Sequence, residues 1–125
     1  MVGLAAPPSA VRTADAAQGE TPNAAELAKD VTTLKGIMQQ VIAKAQAGDV
    51  QGTRDTEGTM DDPIEAIVKA TKAVDPTLAD AIEQHELNIE HQADSDAPDL
   101  KVIAAEAQAV LPLLDQVVTK LKLSQ

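Results

Sequence analysis

The 125-residue sequence contains no cysteine, tryptophan, tyrosine or phenylalanine. Without cysteine there is no disulfide framework, thiol redox centre, Cys-based zinc site or covalently attached c-type haem. Without aromatic rings there is no stacking platform for single-stranded nucleic acid, and a haem pocket loses its usual flat packing partners. Basic residues are scarce, 10 against 20 acidic ones, so the chain carries a net charge of −10. Such a balance repels nucleic acid and anionic lipid and favours cations or basic partners. No uninterrupted apolar run approaches the roughly 20 residues of a membrane span, so no direct span is expected. What is present is an ordinary globular share of apolar residues, 44%, in a length that suits one core.

Residues 1–22 stand apart from the rest. They are rich in alanine, carry Pro7 and Pro8, and show no sustained periodicity. Ala14-Asp15-Ala16 has the small-x-small form of a signal-peptidase site, but the apolar stretch before it is broken by prolines and lacks a charged start. Two readings stay open: the remnant of an export signal, or a disordered Ala/Pro leader.

The domain is expected over residues 23–125, with four amphipathic segments. The first places Leu27, Val31, Leu34, Met38, Val41 and Ala45 on one stripe, with Thr21 or Asn23 as cap and Gly48-Asp49 as its end. The second carries Met60, Ile64, Ile67, Thr71 and Val74. Asp62-Pro63-Ile64-Glu65 reads as an N-cap with proline at the first helical position. The alternative is a helix that begins near Val50 and is kinked or interrupted here. Asp75-Pro76 opens the third, with Leu78, Ile82, His85, Ile89 and Gln92 or Ala93 on its face. The fourth holds Leu100, Ile103, Ala107, Val110, Leu114, Val117 and Leu121, with Pro112 expected to kink it. Four such helices with short connections and no strand pattern predict an all-α, antiparallel up-down-up-down four-helix bundle.

The polar residues are then read through that geometry. His85 and His91 are six apart, about 240° around a helix, and cannot clasp one ion from the same regular helix. His85 falls on the apolar stripe, at the level of Ile67, Ala107 and Val31. That surrounds it with no carboxylate cage and leaves either a core-edge histidine bonded to one neighbour or a metal or haem ligand. Reflection about the loops gathers Asp49, Asp55, Glu57, Asp61, Asp62, Glu90, Asp94, Asp96 and Asp99 at one end with His91, against a single Arg54. Lys29, Lys69, Lys72, Lys120 and Lys122 gather at the other. Helix caps explain part of the acidity. The remaining repulsion would be relieved by a bound cation or a basic partner. Glu57 is directed into the bundle if the second helix starts near Val50, and is a loop residue if it starts at Asp62.

Enzymatic motifs are lacking: there is no phosphate-binding Gly loop, no Ser-His-Asp arrangement and no cysteine nucleophile, so no enzyme is expected. Thr33-Leu34-Lys35-Gly36 resembles the Leu-Lys-Gly of histidine phosphotransfer domains. Thr32 occupies the phosphoryl-accepting position, so no phosphorelay chemistry follows.

Ala47-Gly48-Asp49, the run Pro63-Ile64-Glu65-Ala66-Ile67-Val68-Lys69-Ala70, Val74-Asp75-Pro76, Ala81-Ile82-Glu83 and the Leu-rich stretch 111–121 together resemble the extracytoplasmic helical domain of bacterial high-affinity iron permeases. That family typically carries an aromatic just before the Ile-Glu of its second helix, where this chain has Asp62-Pro63. The permease's membrane segment, with its acidic iron-translocating motif, is missing from this sequence. The resemblance implies a periplasmic or secreted helper in iron uptake, with Glu65 and Glu83 as matched acids.

The functional expectation is a metal-cation-binding bundle, iron first and copper second, serving a membrane metal transporter. Its candidate ligands are Glu57, His85, Glu86, Glu90, His91 and Asp94. Oxygen ligands with one imidazole suit iron or a hard divalent ion, while Met38 and Met60 leave copper open. The rivals are a metal-free interaction module docking through its acidic end and a haem-binding bundle using His85.

Overall fold

The computed structural model describes residues 23–124, and these are all-helical, with no strand among them. Five helices follow in order: α1 Ala24–Gln46, α2 Val50–Glu57, α3 Asp61–Lys72, α4 Pro76–Ala93 and α5 Leu100–Leu121. The expected count of four is corrected to five, because the second segment is two helices. Thr21 and Ala14-Asp15-Ala16 lie outside the described residues.

Asn23 starts α1 by accepting a hydrogen bond from the Glu26 amide at 2.8 Å. The stripe read from the sequence is the buried face of the helix, Leu27, Val31, Leu34, Met38, Val41 and Ala45. Gly48 ends it at φ 75, a left-handed conformation that glycine adopts without a Cβ penalty. Asp49 then caps α2 through the Gly52 amide at 2.8 Å.

The helix that starts at Val50 runs only to Glu57, where Gly58 and Thr59 make a turn before α3 begins. Asp62 is not the cap expected of it. The N-cap position is Met60, which has no side-chain cap bond, and Pro63 sits two residues inside α3. A proline is harmless there, since the first amides of a helix have no intrahelical acceptor to lose. Burial explains the shift. Met60 is fully enclosed and Pro63 is buried, so packing of the turn overrides the capping signal. Val74 also departs from expectation: α3 stops at Lys72, and Val74 is 54% exposed in the connection.

Asp75 caps α4 through the Leu78 amide, with Pro76 in the first turn. Asp99 caps α5 by accepting from the Lys101 and Val102 amides. Pro112 lies on the exposed side of α5, which continues past it to Leu121.

α1 packs chiefly on α5, α5 on α4, α4 on α3 and α3 on α1, while α2 lies against α1 and reaches α4. These contacts describe a helical bundle around an aliphatic core. Leu34, Met38, Met60, Ile64, Ile67, Ile82, Ile89, Ile103 and Leu114 are its largest enclosed side chains. α5 is long and apolar enough to cross a membrane by length and composition, with a mean hydropathy of 1.3. That qualifies the expectation of no spanning segment. In the fold, α5 turns Ile103, Ala107, Val110, Leu114 and Val117 into the core.

Candidate metal centre

The start of α3 meets the second half of α4. Glu86 and Glu90 are four residues apart and share one face of α4. Asp61 is the first residue of α3, where the helix dipole favours a carboxylate. One carboxylate oxygen from each of Asp61, Glu86 and Glu90 lies within 4.8 Å of the others. Asp61 is exposed, and the two glutamates are half-buried. The two helices run in opposite senses along this face, since Lys72 at the end of α3 reaches back to Glu83 at 4.0 Å.

Behind this group stands Glu57, the last residue of α2. It is only 9% exposed, a costly position for a charged carboxylate without a partner. Burial first, and then the charges of Glu90, Asp94 and Asp61, push its carboxyl up to about 7. Glu86 is pushed up to about 7 in the same way, by burial and then by Glu90, Asp61 and Glu83, with a hydrogen bond to Glu90. Glu90 is raised by burial and by its contact with Asp61, and it hydrogen-bonds both Asp61 and Glu86.

Arg54, the single basic residue expected among these acids, is engaged by backbone carbonyls. Arg54 donates from Nε to the Ala93 carbonyl at 2.9 Å and from its terminal guanidinium to the Ser95 carbonyl at 2.8 Å. It therefore satisfies the open carbonyls at the end of α4, a role the sequence did not indicate. Among the described residues, Glu57, Asp61, Glu86, Glu90 and Asp94 form no ion pair with a basic side chain.

The expected ligands thus divide. Glu57, Glu86, Glu90 and Asp94 share one acidic neighbourhood, Asp94 as the C-cap residue of α4. Asp61 joins them as a member of the tight group, although its sequence gave it no more weight than the other acids near it. His85 points to another interface. Its Nδ1 is 2.5 Å from Glu106 Oε1, on α5, and Asn88 Nδ2 donates to the same oxygen at 3.3 Å. Burial pushes Glu106 up, but the bonds from His85 and Asn88 and the imidazole charge outweigh it and hold the carboxyl low. The reflection that put His85 beside Ala107 was one residue from this partner. His91 is exposed in the last turn of α4 and is not in the three-carboxylate group.

Lys69 and Lys72, expected at the pole opposite the acids, lie on the half of α3 away from Asp61 and border the same groove between α3 and α4, a groove of about 820 Å3. Three clustered carboxylates with a buried fourth behind them offer oxygen ligands to a hard cation. Searches against family models, curated proteins and solved structures find no match to this chain.

Proposed function

We propose that this protein is an exported helical bundle that binds a hard metal cation, iron first, on behalf of a membrane metal transporter. In this reading α2 and α3 are two halves of one rod in an antiparallel up-down-up-down bundle, and the break between them sets Glu57 behind Asp61. Asp61, Glu86 and Glu90 are the ligands in contact with the ion, and Glu57 and Asp94 add negative charge to the site. The observation that carries the reading is the meeting of three carboxylates within 4.8 Å with no basic side chain paired to them.

The same geometry ranks the cations. Copper sites favour imidazole and thioether ligands, yet Met38 and Met60 are fully enclosed in the core and His85 is engaged by Glu106. An all-carboxylate set suits iron or a divalent hard cation better than copper. The haem alternative rests on His85 alone, and the large groove does not border it.

Thermal melts with Fe(II) under anaerobic conditions, Fe(III), Ca(II) and Cu(II) test the proposal. An ion at a hundred times its dissociation constant stabilises the fold by about 2.7 kcal/mol. Iron should raise the melting temperature by several degrees, and the paired substitution E86Q/E90Q should abolish the rise. Flat melts with every ion up to about 1 mM would refute the proposal.

A further inference from the structure

The groove between α3 and α4 has an apolar element as well as a charged rim. Leu87 projects into it from α4 and is 51% exposed, one of only two large apolar side chains so exposed among the described residues. Val68, 8% exposed, contributes from α3. Asp61 and Glu65 line the α3 side, and Glu83, Glu86 and Glu90 line the α4 side. Two lysines, Lys69 and Lys72, stand against these five acids, and Lys72 is already within ion-pair distance of Glu83.

The 12 residues of α3 extend about 18 Å at 1.5 Å per residue, enough to lie beside three turns of a partner helix. A ligand for this trough must carry positive charge on its flanks and aliphatic groups along its centre. We infer that the α3–α4 groove docks a basic amphipathic helix from a partner protein, with its apolar stripe on Leu87 and Val68 and its Lys or Arg side chains on Asp61, Glu86 and Glu90.

Helix-in-groove recognition takes its affinity from apolar anchors at i, i+3, i+4 and i+7 and its selectivity from the flanking charges. The two kinds of contact are both offered here within one depression. This inference goes beyond cation binding and does not depend on it. Its relation to an ion is competitive, because a metal held by the three carboxylates cancels the charge that would hold the partner.

The probe is a fluorescein-labelled 14-residue peptide of leucine and lysine with leucines at helical spacing. Its control has the same composition with the spacing scrambled. Fluorescence anisotropy with the full chain is measured in EDTA at low salt, with ion binding followed separately by calorimetry. The amphipathic peptide should bind at least about tenfold more tightly than the scrambled one. Leu87→Asp, at an exposed position, should weaken it about tenfold, and so should E86Q/E90Q. Equal binding of both peptides, or an unchanged affinity for Leu87→Asp, would overturn the docking proposal. Iron binding without peptide binding would leave the cation reading standing alone, and peptide binding with no ion bound would leave the docking reading standing alone.

Discussion

Replacing Glu57 by glutamine should stabilise the protein at neutral pH, although it removes a charged residue from a surface-proximal helix. Glu57 is 9% exposed and faces the charges of Glu90, Asp94 and Asp61 with no basic partner. Its folded carboxyl is raised to about 7 from the ordinary 4.5. A raised value means that the folded protein holds the proton more tightly than the unfolded chain does. Glu57 therefore contributes fully below pH 4.5, and that contribution is lost as the pH climbs through about 7. At about 1.4 kcal/mol per pKa unit the ceiling is roughly 3 kcal/mol. Partial hydration of the carboxyl and the sharing of charge among its neighbours reduce this to on the order of 1 kcal/mol. For a domain of this length that corresponds to a melting temperature about 4–8 °C higher for Glu57→Gln at pH 8. The assay is a pair of metal-free melts followed by far-UV circular dichroism, at pH 8 and pH 4.5, with EDTA present. The reasoning fails if the variant melts lower than the parent at pH 8, or if the difference is the same at both pH values.

Arg54→Met should lower stability by about 2–3 kcal/mol in thermal or urea melts, since it removes two charge-assisted bonds to the end of α4. Asp99→Ala should cost about 1 kcal/mol in the same melts through loss of the bonds that begin α5. Ile67→Ala, at a fully enclosed core position, should cost about 2–5 kcal/mol. Glu106→Gln should lower the melting temperature near neutrality by weakening the bond to His85. Its parent carboxyl is held low, so the stability it supplies is present above the ordinary 4.5 and disappears as the pH falls through the lowered value. The gap between variant and parent should close in acid, and a gap that widened there would contradict the assignment.

Much of the helical framework could be read from periodicity alone. In α1 the alternating apolar spacing matched the buried face at every position, because that helix is long and presents a single seam. Asp75 was legible as a boundary because its side chain acts locally, within three residues. The start of α3 was not, because Asp62-Pro63 carries a local capping signal while the enclosure of Met60 is a tertiary effect. Glu57 was readable as an inward carboxylate only on condition that a helix began at Val50, which the structure has. The grouping of Asp61 with Glu86 and Glu90 depends on how α3 lies against α4, and no spacing within either segment encodes it. His85 shows the same limit on a smaller scale: its partner Glu106 lies beside the residue that simple reflection selected.

The buried residues of α2 are Thr53 and Glu57, with no aliphatic side chain among them. Almost no hydrophobic free energy holds this two-turn segment down, and the Arg54 bonds act as its latch. Its amides should exchange with deuterium sooner than those of α1 or α5. Each transient release would swing the Glu57 carboxyl out into water and return it to the behaviour of an ordinary surface acid. A carboxyl raised by burial and like charge is thus mounted on a segment with no buried aliphatic anchor.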